Sequence, residues 1–121
     1  MHATRAAQKT LVRLTTRAEF VHLNKAGRKW TARSLVVQVA PGAPGRTHLG
    51  LTVTKRVDKR AVVRNRIRRR LRAAAVDTLP GRLPPGTDIV LIGRSSTLAA
   101  PYATLCADLR WCLKRLGLDA S

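Results

Sequence analysis

Lys55-Arg56-Val57-Asp58-Lys59-Arg60-Ala61-Val62-Val63-Arg64-Asn65-Arg66-Ile67-Arg68-Arg69-Arg70-Leu71-Arg72 carries ten basic residues and one acid, Asp58. Placed on a helical wheel at 100° per residue from Ala61, Val63, Ile67, Leu71, Ala74 and Thr78 fall in one arc. That arc predicts an amphipathic helix over residues 61–79, docked on a sheet. Asn65, Arg68, Arg69 and Arg72 fall roughly opposite it, and Arg64 and Arg66 lie on the two flanks. Arg70 lies near the apolar edge, where its stem is expected to pack while its head reaches water. Pro80-Gly81 closes the helix.

Strands lie on both sides of this segment. Upstream, His48 to Thr54 places Leu49, Leu51 and Val53 on one face. Ser34 to Val39 is a second strand, ended by the turn cluster Pro41-Gly42-Ala43-Pro44-Gly45, and the two are expected to form a hairpin. Trp30 fits a short strand before them. Downstream, Asp88-Ile89-Val90-Leu91-Ile92-Gly93 is a continuous apolar run, as in a central strand. Thr16-Arg17-Ala18-Glu19 fits a capping box that starts a first helix near residues 17–26, closed at Gly27. Pro101 begins a last helix, residues 102–116, with the stripe Leu105, Leu109, Cys112, Leu113 and Leu116. The element order is therefore α-β-β-β-α-β-α. It predicts an α/β (α+β) sandwich, with an about four-stranded sheet and helices packed mainly on one face. Residues 1–14 read as a basic, flexible arm, 15–117 as a single folded domain and 118–121 as a tail.

The 121 residues suffice for one domain, and 45% apolar content excludes a disordered basic tail. The outlier is charge: 24 Lys+Arg against 6 Asp+Glu give a net +18. Such a surplus repels itself, and a polyanionic partner relieves it through neutralisation and counterion release. No run approaches the roughly 20 apolar residues of a membrane span. Met1 to Arg13 holds no uninterrupted apolar stretch, so no signal peptide and a cytoplasmic location are expected. Cys106 and Cys112 form no Cys-x-x-Cys motif and are expected as reduced, partly buried thiols facing different sides of their helix.

Six guanidinium groups fall within residues 64–72, with no acid until Asp77. Guanidinium is planar, bidentate toward phosphate and able to stack on bases, which suits structured RNA. Asn65 adds a donor and an acceptor for a base edge or a 2′-hydroxyl. The six carboxyl residues, Glu19, Asp58, Asp77, Asp88, Asp108 and Asp119, are scattered, without the close pairing of a metal-dependent nuclease. His22 and His48 show no spacing that supports acid/base chemistry. No protein catalytic residue or metal site is expected.

Arg64-Asn65-Arg66 followed by Ile67-Arg68-Arg69-Arg70-Leu71-Arg72 resembles the Arg-Asn-Arg signature of the bacterial ribonuclease P protein family. Gly50-Leu51-Thr52-Val53-Thr54-Lys55-Arg56 resembles the strand that leads into it. The likeness extends to Glu19-Phe20, Arg33 to Val39 and Asp88 to Arg94, and spans about residues 14–116. It implies a left-handed βαβ crossover, the rare hand for such a connection. It also implies a role: an accessory protein subunit of an endoribonuclease whose active site is RNA, removing the 5′ leader of precursor tRNA.

Catalytic-RNA contacts carry over to Lys55, Arg56, Arg60, Arg64, Asn65, Arg66, Arg68, Arg69 and Arg72. Leader contacts carry over to Phe20, a base-stacking candidate, with Arg33 and Lys55. Asn24 and Gln38 stand where relatives often have aromatics. Mg2+ is expected, bound chiefly by the RNA. The implied partners are the ribonuclease P RNA and precursor tRNA, with no membrane and no obligate protein partner. The alternative is a small basic ribosomal protein that binds rRNA. A DNA-binding regulator fits less well, because no helix-turn-helix pair is evident.

Overall fold

Ile89 and Leu91 are fully buried and Val90 between them is 4% exposed, so both faces of this strand are covered. A strand apolar on both faces belongs in the middle of a sheet, and its neighbours follow from that. The computed structural model describes residues 11–13, 27–41, 47–79 and 86–118. Its elements are β1 (Leu11–Arg13), β2 (Arg28–Thr31), β3 (Leu35–Pro41), β4 (Thr47–Thr52), α1 (Ala61–Thr78), β5 (Thr87–Gly93), α2 (Ser95–Ala99) and α3 (Tyr102–Arg115). Among the described residues the sheet order is β1-β4-β5-β3-β2. β5 pairs parallel with β4 (Leu51 opposite Leu91) and antiparallel with β3 (Val37 opposite Leu91).

This order corrects the expected hairpin. β3 and β4 follow one another in the chain but do not pair, because β5 lies between them. The physical reason is the apolar run of β5, which gains most by taking the central place. Two strand spacings separate β3 from β4 by about 10 Å. The five residues between Pro41 and Thr47 have an extended reach of about 16 Å, enough to bridge that gap. Two further elements exceed the expectation. Leu11–Arg13, assigned to the arm, adds a parallel strand beside β4, and Ser95–Ala99 forms a one-turn helix. The short strand at Trp30 is β2, antiparallel to β3. The expected first helix, with Phe20 and Asn24, lies outside the described residues.

The helical wheel of α1 holds in three dimensions. Val63, Ile67, Leu71, Ala74, Ala75 and Thr78 are its buried residues, and they join Leu35, Val37, Ile89, Leu91, Leu105 and Leu109 in one core. α1, α2 and α3 thus cover one face of the sheet. Full burial of a side chain such as Leu71 stabilises by roughly 1.5–3 kcal/mol. Gly93, at the end of β5, permits the closest helix–sheet approach. A Cβ there would sit 2.7 Å from Ile67 Cγ2 and 2.9 Å from Val53 Cγ2. α3 ends in a Schellman motif, with Gly117 at φ +77° and Leu118 N–H donating to Leu113 O at 2.9 Å. Leu118 also packs on the core, so the domain extends one residue into the expected tail. Cys106 and Cys112 are free and both buried, rather than partly so.

Candidate nucleic-acid interface

The loop from Thr54 to Arg60 aims the basic helix. Val57 N–H donates to Thr54 O at 3.0 Å, closing a turn. Asp58 then closes an Asx turn just before the helix: its Oδ1 accepts the Arg60 backbone N–H at 2.8 Å. Its carboxylate also holds the Arg60 guanidinium in a fork, Nε to Oδ1 at 3.1 Å and Nη2 to Oδ2 at 3.0 Å. The Arg60 side-chain hydrogen bonds lower the Asp58 carboxyl to about 2. Arg64 Nη1 donates to Asp58 O at 3.0 Å and Lys59 O at 2.7 Å. Loop and first helical turn are stitched together by the same residues expected to meet RNA.

The ten cations of residues 55–72 therefore divide. Arg60 and Arg64 hold the loop. Arg70 is bound too: its Nη2 donates to Ala100 O, between α2 and α3, and its Nε is buried without a partner. The expectation that the Arg70 head reaches water is corrected. The acceptor lies thirty residues further along the chain, where no local pattern reveals it. Arg68 Nη1 donates to Asn65 Oδ1 at 2.7 Å, which occupies the Asn65 acceptor and leaves its amide N–H₂ as a donor. Lys55, Arg56, Lys59, Arg66, Arg69 and Arg72 are exposed, and their side chains make no hydrogen bond or ion pair among the described residues. They form a cationic surface with no counterion among the described residues.

The sheet brings other cations to the start of this surface. Thr52 pairs with Ile92 and Leu35 with Gly93, so β4 and β5 end where β3 begins. Lys55, Arg33 and Arg94 consequently share one end of the sheet. Arg33 is exposed, and its carbonyl accepts from Ser96 Oγ at 2.5 Å. Arg94 Nη1 donates to Ala32 O at 2.7 Å and ties the β2–β3 turn to the end of β5. Sequence reasoning left Arg94 out, since a lone arginine after a strand carries no signal. Phe20, the third expected leader contact, lies outside the described residues. Gln38 is on the face of β3 away from the helices, with Val90 and Ala40, and is 7% exposed.

The described carboxylates other than Asp58 are engaged elsewhere. Asp77 accepts from Tyr102 Oη, and Asp108 Oδ2 accepts from Ser34 Oγ at 2.7 Å. Asp88 Oδ1 lies 2.8 Å from His48 Nδ1, so His48 faces a carboxylate across two parallel strands. His22 lies outside the described residues. Among the described residues no three His, Cys, Asp or Glu side chains gather where they could hold a metal ion. No described helix is long and apolar enough to cross a membrane.

Comparison with known proteins gives one answer. The family model described as Ribonuclease P matches residues 9–117. The ribonuclease P protein component of Paramagnetospirillum magneticum is 42% identical over 112 residues, covering 88% of this chain and 84% of the relative. That of Gluconacetobacter diazotrophicus is 43% identical over 109 residues, covering 88% and 91%. Among solved structures, the RNase P protein from Thermotoga maritima aligns with a TM-score of 0.72 at 27% identity, over 85% of this chain and 96% of that one.

Proposed function

We propose, from the premise that the chain belongs to the ribonuclease P protein family, that it acts in tRNA processing as the RNA-binding protein subunit of that endoribonuclease. In this reading the α1 surface binds the catalytic RNA and the protein supplies no reacting group. The reaction is hydrolysis of the phosphodiester bond that joins the 5′ leader to mature tRNA, carried out at a site made of RNA. Mg2+ is held chiefly by that RNA. The location is the cytoplasm, where precursor tRNA is found in a bacterium.

The observation that carries the reading is the crest of α1. Arg69 and Arg72 on the outer face, with Arg66 on its flank, stand exposed without partners among the described residues, on a helix fixed by Arg60, Arg64 and Arg70. Free guanidinium groups on a rigid element can each take a phosphate in bidentate fashion at little ordering cost. Their presence between two RNAs screens phosphate repulsion, which magnesium alone otherwise has to do. Lys55, Arg33 and Arg94, gathered at one sheet end, suit a single strand leaving the cleavage site; Phe20 is kept as a base-stacking candidate on the family resemblance alone.

The test is cleavage of precursor tRNA by a bacterial ribonuclease P RNA at low magnesium, with and without the protein. The expected result is cleavage that depends on added protein and yields mature 5′ ends. Tight RNA binding without gain in cleavage would reject the assignment in favour of a plain RNA-binding role.

A further inference from the structure

Trp30 on β2 and Trp111 on α3, 81 positions apart in sequence, meet at the corner of the sheet. Their ring centroids are 6.0 Å apart with planes at 72°. The Arg115 guanidinium lies over both, 5.9 Å from the Trp30 centroid and 5.6 Å from that of Trp111. Neither ring is hidden: Trp30 is 37% and Trp111 43% exposed. These are the chain's only tryptophans in a protein with 3% aromatic residues. Burying large rings is strongly favourable, so an exposed pair beside a cation is an unfilled contact surface.

The surroundings say what fills it. On the α3 wheel, Tyr102 and Cys106 lie on the flank toward α1, where Tyr102 bonds Asp77. Arg110 follows on that side, Lys114 lies on the outer crest, and Trp111 with Arg115 forms the flank toward β2. Arg110, Lys114 and Arg115 are all exposed. The single acid of α3, Asp108, is tied to Ser34. A cationic strip therefore runs over α3 from the α1 side to the two indoles, on the same helical layer as the Arg66–Arg72 crest. An acidic protein would match the charge but leave the exposed indole surface unused. An unpaired nucleotide matches both, with phosphate on the cations and base on the rings.

We infer that Trp30, Trp111 and Arg115 form a second RNA-contact surface, a stacking site for an unpaired base of the same catalytic RNA that covers α1. The inference rests on the functional reading above. It adds a contact that fixes the far edge of the helical layer, so the RNA is held at two separated places rather than along one helix.

Tryptophan emission reads this surface alone, since both indoles are in it. The full chain is titrated with ribonuclease P RNA while acrylamide quenching and RNA affinity are followed. Saturating RNA is expected to shield the indoles. Trp111→Leu is expected to weaken RNA affinity about 5- to 160-fold, the span for one lost base–aromatic stack. Its salt slope should match the wild type, because no phosphate contact is removed. Indoles that remain open to acrylamide while RNA is bound with full affinity overturn the proposal and leave the α1 reading intact. Shielding that rises with protein concentration in the absence of RNA also overturns it, in favour of a contact between copies of the chain. Absence of any RNA binding overthrows the functional reading and this inference together. If Trp111→Leu proves unfolded by circular dichroism, the wild-type shielding measurement decides alone.

Discussion

Simultaneous replacement of Arg66, Arg69 and Arg72 by alanine removes three cations that hold no other described residue. All three side chains are exposed and lack partners among the described residues, so the fold should survive, and alanine is a strong helix former. If each meets one phosphate, the log–log slope of RNA affinity against salt should flatten by about 2–3, at about 0.7–0.9 per contact. Over a fourfold rise in salt that difference amounts to about 20- to 40-fold in affinity. At low salt the variant is far weaker than wild type, and the gap narrows as salt rises. The assay is filter binding or mobility shift of ribonuclease P RNA at several salt concentrations, with circular dichroism as the control for folding. Arg70→Ala is the contrasting variant. Its guanidinium is partly buried on Ala100 O, and a hydrogen bond from a charged group contributes about 1.5–3 kcal/mol, so it should lower thermal stability. A folded triple variant with unchanged slope would refute the α1 crest as the RNA surface.

Gly93→Ala should destabilise the fold by about 1–3 kcal/mol, because its methyl would sit 2.7 Å from Ile67 Cγ2; differential scanning calorimetry reads this, and an unchanged midpoint would contradict the close approach. The Asp58 carboxyl titrates near 2 when folded, below its ordinary 3.8, so its link to Arg60 is complete above about pH 4 and lost as pH falls through 2. Asp58→Asn should therefore remove part of the loss of stability between those values, measured by acid titration of the circular-dichroism signal. Burial pushes the Cys112 thiol up to about 11, and both thiols are buried. Native protein at pH 8 should thus react slowly with a thiol reagent and speed up sharply once unfolded; two fast-reacting thiols in the native state would contradict the packing of α3.

The parts of this fold legible in sequence were those set by near neighbours. The arc Val63, Ile67, Leu71, Ala74 and Thr78 needs only the helical repeat, and every one of those residues is buried. The apolar run Asp88 to Gly93 names a central strand because only a central strand can bury both faces. The misread hairpin has the opposite cause. Pro41-Gly42-Ala43-Pro44-Gly45 reports that the chain turns, not whether another strand will enter the gap, and β5 arrives some forty residues later. α2 is too short for a period to show. The site divides in the same way. The cationic crest follows from the wheel, whereas the Arg70–Ala100, Arg94–Ala32 and Trp30–Trp111 contacts join residues 30, 62 and 81 positions apart. A one-dimensional pattern assigns those arginines and tryptophans only to a charge count or a hydrophobic tally.

The division of the arginines also bears on how a protein of net charge +18 folds before its RNA arrives. Six guanidinium groups within nine residues repel one another, and fully free side chains would scatter to reduce that repulsion. Arg60 just before α1, and Arg64 and Arg70 within it, are instead spent on carboxylate or backbone carbonyl oxygens. Each such contact lowers the local repulsion and fixes one stretch of α1: Arg60 and Arg64 its start, Arg70 its middle. The remaining cations then lose less freedom on binding, because the helix that bears them is already oriented. Substituting an anchoring arginine and a crest arginine should consequently have unlike effects. The first loosens the helix and lowers stability, with affinity falling as orientation is lost. The second leaves stability alone and flattens the salt dependence. The same residue type performs both tasks within one turn of helix, and only the identity of the oxygen it meets distinguishes them.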